Sequence, residues 1–342
     1  MAAPAPFPPA PRKEDRAATA PRGPDTPDDV ITMGRVGVDI YPDQIGVGLD
    51  RVSSFGKYLG GTATNVAVAA ARYGRRAALI TRTGDDAFGR YVHQALEGFG
   101  VDDRYVTPVP GRLTPVAFCE IFPPDDFPLY FYGRDPKAPD LEIHGSELDL
   151  PAIRAARVFW ATGTGLCQEP SRSATLDALR ARDPGTLTVL DLDYRPMFWE
   201  SRDEARRWVR EALPHASVVA GNLDEWSTAV GTADPHEAAA AARRLGVGLA
   251  VVKQGPKGVL AVDDGGPVEV PPVPVDVVNG LGAGDAFGGA LCHGLLSGWD
   301  TERVMRFANA AGAIVASRIP CSAAMPTADE VEAAMDGVHR AG

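Results

Sequence analysis

From residue 31 onward, short apolar runs alternate with longer amphipathic stretches. Apolar runs of four to eight residues read as buried strands, and apolar residues spaced by three and four read as helices. Strands are predicted at 31–38, 77–81, 158–161, 187–190, 217–220 and 249–252. Helices are predicted between Thr62 and Gly74, and at 86–99, 171–182, 204–212, 222–230, 235–245, 286–296, 301–317 and 327–338. Thr62 or Thr64 would cap the first of these. Repeated strand–helix units imply an α/β fold: a mostly parallel central sheet between two helical layers.

Two stretches break this alternation, 40–58 and 104–133. Both are short β-like pieces separated by Gly and Pro, which reads as one small sheet assembled from two excursions. Such a sheet suits a lid over a crevice; loops without a role, or a contact between two copies, remain open. Residues 1–30 are rich in Pro and Ala with mixed charges, and read as a disordered tail. One domain over 31–340 follows.

In sheets of this kind ligands bind beyond the C-terminal ends of the strands. Asp39, Asp191, Asp193, Arg195, Asn222 and Lys253 stand at such ends, so the chain separates them but the fold gathers them. The most concentrated chemistry lies in 277–291, V-V-N-G-L-G-A-G-D-A-F-G-G-A-L. Gly280, Gly282 and Gly284 precede a helix start, where free N–H groups and the helix dipole favour an anion. Asp285 would repel a resting phosphate. A carboxylate there makes sense as a base that takes a proton from a hydroxyl attacking phosphorus. A simple helix cap remains the alternative.

Composition narrows the partners. A formal net charge of −11 argues against nucleic acid or an anionic membrane surface. No apolar run approaches the ~20 residues of a membrane span. The four cysteines include no C-x-x-C pair, and the six histidines do not cluster, so structural zinc is not expected. A cytoplasmic setting is the expectation.

Three motifs then combine: L-G-G-T-A-T-N-V-A at 59–67, N-L-D-E at 222–225 and V-V-N-G-L-G-A-G-D-A-F at 277–287. Together they resemble the signatures of the ribokinase-like, PfkB-type carbohydrate kinases, over about residues 31–335. F-G-K-Y-L-G-G-T-A-T-N, E-I-F-P-P-D-D-F-P-L-Y-F-Y, A-P-D-L-E-I and D-L-D-Y-R-P-M-F-W resemble the sugar-acid branch.

The resemblance implies a kinase using ATP and Mg2+ on a sugar acid. Asp285 would be the base, and Gly282, Ala283 and Gly284 the anion hole. Asp39, Gly60, Gly61 and Asn65 would hold sugar hydroxyls. Tyr132, Arg134 and Arg195 would grip a carboxylate, which suits the planar fork of arginine. Asn222 and Glu225 would act on the phosphates, Glu225 through Mg2+ and water. Lys253, Gly255, Asn279 and Asn309 would lie along the nucleotide. A homodimer through the lid also follows from the resemblance. Asn279 stands where many relatives carry a carboxylate that helps hold a monovalent cation, which leaves that cation open.

Two other classes fit less well. A dinucleotide-binding dehydrogenase needs G-x-G-x-x-G after the first strand, and G-R-V-G-V-D stands there instead. A sugar-binding regulator would carry a damaged centre, and Asp285 with its glycines is intact.

Overall fold

The structure, a computed structural model, describes residues 26–341 apart from Pro136. The expected tail falls mainly on residues outside that range. Its last residues belong to the fold: Asp29 is buried and pairs with Arg76 and Arg157.

The strands are β1 (Val30–Met33), β2 (Gly37–Pro42), β3 (Phe55–Gly60), β4 (Ala77–Gly84), β5 (Val106–Val109), β6 (Val116–Cys119) and β7 (Leu129–Tyr132). They continue as β8 (Val158–Thr162), β9 (Leu187–Asp191), β10 (Val218–Asn222), β11 (Leu249–Lys253), β12 (Val259–Asp263) and β13 (Gly266–Val270). The helices are α1 (Thr62–Arg72), α2 (Ala87–Phe99), α3 (Leu150–Ala155), α4 (Ser171–Arg180), α5 (Arg202–Ala212), α6 (Leu223–Val230), α7 (Pro235–Arg244), α8 (Ala283–Leu296), α9 (Thr301–Ala316) and α10 (Ala328–Ala341).

The large sheet has the order β13-β12-β11-β10-β9-β8-β1-β4-β5. It is parallel from β11 to β5 and antiparallel at β12 and β13. Its central strands are apolar on both faces, as a parallel sheet covered by helices requires. Val218 and Val251 face a core with α1, α8 and α9, while Val219 and Val252 face the core with α4–α7. The three-layer expectation is met. α1 and α8 pack closely because both are built from small residues; a β-carbon at Gly289 would collide with Ala69.

Three expectations are corrected. The run 31–38 is not one strand. Gly34 has φ +151°, and a β-carbon there would lie 2.5 Å from Thr162 Oγ1, so the chain turns out of the large sheet after β1. Asp39 therefore sits on β2, in the small sheet, not at a strand end of the large one. The small sheet, β3-β2-β6-β7, does unite two excursions, but β5 lies outside it and extends the large sheet beside β4. The β12–β13 hairpin was missed in the sequence, although its D-D-G-G turn with Gly266 at φ +106° marks it.

Candidate active site

Both glycine motifs end in helix starts opened by a glycine of positive φ. Gly61 opens α1 at φ +102° and Gly282 opens α8 at φ +83°, and neither start has a side-chain cap. The caps expected from Thr62 and Thr64 are absent because both hydroxyls turn to Arg35. Arg35 Nη2 donates to Thr62 Oγ1 at 2.6 Å, and Thr64 Oγ1 donates to the Arg35 carbonyl. Gly61 has no room for a side chain, since a β-carbon would strike that carbonyl. Gly60 is equally constrained, because the Asp39 carboxylate lies against its α-carbon.

The two motifs meet directly. Asn65 Nδ2, in the first turn of α1, donates to Asp285 Oδ2 at 2.7 Å. Asn65 Oδ1 is buried without a partner among the described residues, and so is an acceptor available to a ligand hydroxyl. Burial pushes the Asp285 carboxyl up to about 6, opposed by the Asn65 donor and by Arg195 and Arg35. That places it in the range where a carboxylate works as a base near neutral pH.

The strand ends deliver the counter-charges. Asn222 and Lys253 stand side by side at the ends of β10 and β11. A β-carbon at Gly284 would lie 3.3 Å from Lys253 Nζ, so the ammonium lies over the glycine loop. Burial opposes the Lys253 charge, but Asp191, Glu225 and Asp285 hold its pKa above the usual lysine value. Asp191, buried at the end of β9, is pushed up to about 8, with Lys253 working against that rise. Asn222 caps α6 in a reciprocal pair: its Oδ1 accepts from Glu225 N–H, and Glu225 Oε2 accepts from Asn222 N–H.

Next to Asp191, whose Oδ1 accepts from Asp193 N–H, stands a cluster of three arginines. Asp193 is 2% exposed and serves two of them: Arg35 Nη2 at 3.1 Å and Arg195 Nε at 3.1 Å, with Thr164 Oγ1 at 3.0 Å. Burial alone would raise its pKa; Arg35 and Arg195 outweigh that and hold the carboxyl below its usual range. Arg134 is paired in two-pronged fashion with the fully buried Asp140. The guanidiniums of Arg35 and Arg134 lie 5.6 and 4.4 Å from the Phe198 ring centre. Asp193 and Asp140 are the carboxylates at ion-pair distance from these guanidiniums, and Glu225, Asp285 and Asp191 add to Asp193 in raising the Arg195 pKa.

The arrangement places the remaining predicted residues unevenly. Asn309, on α9, donates to the Pro271 carbonyl and lines a cavity of about 190 Å³ with Val270, Pro272, Val273 and Met335. Gly255 lies in the turn after β11 at φ +57°. Asn279 is corrected: it is wholly buried, donating to the Ile319 carbonyl and accepting from Leu281 N–H, so its side chain meets protein rather than nucleotide. Tyr132 is corrected as well. Its neighbour Phe131 meets Phe198 on the crevice side, so Tyr132 faces the other way, 59% exposed, with its ring against Phe118. Arg35, Asp140, Thr164 and Phe198 were missed. Arg35 carried a signal, a charge inside the apolar run after β1.

The model of the pfkB family carbohydrate kinases matches residues 28–328. The chain belongs to this family. It is therefore a phosphotransferase acting on a carbohydrate hydroxyl. It is 34% identical over 313 residues to a 5-dehydro-2-deoxygluconokinase of Geobacillus thermodenitrificans (strain NG80-2), covering 90% of this chain and 92% of that one. A fructokinase double mutant from Vibrio cholerae O395, bound to fructose, ADP and potassium, has a TM-score of 0.80 at 25% identity. That match covers 91% of this chain and 99% of the other. A putative ribokinase II from E. coli, with ATP and Mg2+, shares the fold at a TM-score of 0.82 and 24% identity, over 91% and 99% of the two chains.

Proposed function

We propose that the chain transfers the γ-phosphoryl group of ATP to the 6-hydroxyl of 5-dehydro-2-deoxy-D-gluconate, a step of myo-inositol catabolism. The observation that carries the acid preference is the guanidinium of Arg195, whose Nε is buried without a hydrogen-bond acceptor among the described residues. Asp193 is hydrogen-bonded by Arg35 and only ion-paired with Arg195, which leaves the Arg195 donors to a ligand. Arg195 is the one turned outward, its side chain 36% exposed against 9% for Arg35. A guanidinium binds a carboxylate in two-pronged fashion, which a neutral sugar does not need.

In this reading Asp39, Asn65 and the glycine turn at Gly60 and Gly61 hold the sugar hydroxyls, and Arg134 shapes that end through Asp140. Asp285 accepts the proton of the attacking hydroxyl. The N–H groups of Gly282, Ala283 and Gly284 face the moving phosphoryl group, with Lys253 above them. Asn222 and Gly255 lie along the phosphates, and the cavity at Asn309 takes the base. Among the described residues no three His, Cys, Asp or Glu side chains are placed to hold a metal. Mg2+ bound with ATP uses one or two carboxylates, water and phosphate oxygens, and Asp191 with Glu225 fits that need. Mg2+ would there neutralise phosphate charge. Asn279 is spent on two backbone bonds, so a monovalent cation would have to be held by other groups.

Arg195→Ala tests the acid clamp. It should raise KM for the sugar acid about tenfold or more, the value of a charge-assisted hydrogen bond, and leave KM for a neutral keto-sugar nearly unchanged. Equal effects on both would remove Arg195 from the carboxylate site. The small sheet would also join two copies. Its outer face exposes Phe55, Tyr130 and Tyr132. Light scattering should then give twice the mass of one chain; a single-chain mass rules the dimer out.

A further inference from the structure

Tyr41 lies two residues after Asp39 on β2, and the two side chains share one face of that strand. It is 3% exposed. Its hydroxyl donates to Asp39 Oδ2 at 3.2 Å and lies 2.7 Å from Cys321 Sγ. A phenol has one proton. With that proton given to the carboxylate, the Cys321 thiol is the donor to Tyr41 Oη. Cys321 in turn lies beneath the start of α8: a β-carbon at Gly282 would stand 2.7 Å from its Sγ. Asp39, Tyr41, Cys321 and Gly282 therefore form one continuous run from the small sheet to the anion-binding glycines. Gly60 leaves room for the Asp39 carboxylate but does not orient it, and Tyr41 is its hydrogen-bond donor among the described residues.

The geometry points to Tyr41 as a positioning residue, aiming the Asp39 carboxylate at the acceptor and tying that aim, through Cys321, to the loop that holds the phosphoryl group. The inference rests on the sugar-binding role proposed for Asp39. A hydroxyl acceptor and a phosphoryl donor must be held in mutual register for in-line transfer. Here one support lies on the small sheet and the other at the start of α8, and Tyr41 with Cys321 connects them.

The charge environment gives a signature that a filler would lack. Burial pushes the Asp39 carboxyl up to about 7; Tyr41 and Arg35 oppose the rise and Asp285 adds to it. Cys119, Cys321 and Tyr91 also lie within its field. Ionised Asp39 accepts sugar hydroxyls, so KM falls as pH rises through about 7. Tyr41→Phe keeps the ring and removes the donor that favours the ionised form, so the fall moves to higher pH.

The test is Tyr41→Phe with KM and kcat measured across pH 5–9. KM for the sugar acid should rise about tenfold, KM for ATP should not change, and the KM profile should shift upward in pH. Cys321→Ala should give a smaller rise of the same sign, and Cys321→Ser, which restores a donor, less than Cys321→Ala. Carbon-13 titration of Asp39, assigned with Asp39→Asn, gives an activity-independent reading: its midpoint should be higher in Tyr41→Phe than in the wild type. An unchanged midpoint with an unchanged KM profile overturns the proposal. Failure of the wild type to turn over any sugar acid would sink the functional reading instead, and the titration would still decide the role of Tyr41.

Discussion

Asp285→Asn will lower turnover by about 10²- to 10⁴-fold, the usual worth of a positioned base, while ATP affinity stays within a few-fold. The asparagine preserves the shape of the first turn of α8 and the neighbourhood of Asn65, and removes only the group that takes the proton. ATP meets the glycine N–H groups and Lys253, which the change leaves in place. The wild-type rate should rise with pH through about 6, where Asp285 loses its proton. That limb should be missing in the variant. Steady-state rates with an ATP-binding titration check both parts. Turnover within a few-fold of wild type would mean that another group takes the proton.

Asp193→Asn will destabilise the fold by about 3–5 kcal/mol, the cost of leaving a buried charge without its partner. Arg35 is buried, and its guanidinium donates to Asp193, Thr62 and Thr164. Without the carboxylate its charge has no counter-ion at hydrogen-bond distance. The backbone adds little to the cost, since Asp193 has φ +30° and asparagine tolerates that region as well as aspartate does. The pH dependence has a definite sign. The folded Asp193 carboxyl lies below its ordinary value of 3.8, so its contribution is fully present above that value and is lost as pH falls through the folded one. Denaturant unfolding should show the gap between wild type and variant at pH 7 and its narrowing in acid. A gap below about 1 kcal/mol at pH 7 would mean that Arg35 is compensated elsewhere.

The large sheet was legible because parallel strands covered on both faces are unbroken apolar runs, as at residues 249–252. The turn at Gly34 was not. Ile31–Val38 is apolar enough to pass for one strand; the break lies at Gly34, whose φ of +151° and lack of room beside Thr162, 128 residues on, appear only in the fold. The glycine motifs and Asp285 could be read because local spacing creates a helix start with free N–H groups. Asn65 meeting Asp285 required two helices packed along small residues. The arginine cluster was legible only in part. Arg195 and Asp193 are neighbours in the chain, whereas Arg35, Asp140 and Phe198 reach the same place from three other segments. Tyr132 was misplaced because strand alternation fixes its face, and Gly133 at φ +74° then redirects the chain toward Arg134.

ADP release by the wild-type chain across a sugar panel, with and without potassium, decides whether the chain is a kinase of this sugar acid. The panel should hold 5-dehydro-2-deoxygluconate, 2-keto-3-deoxygluconate and fructose, each with Mg-ATP. The highest kcat/KM is expected for 5-dehydro-2-deoxygluconate, with little turnover of fructose, which has no carboxylate to meet Arg195. Preference for fructose, or for 2-keto-3-deoxygluconate, would contradict this.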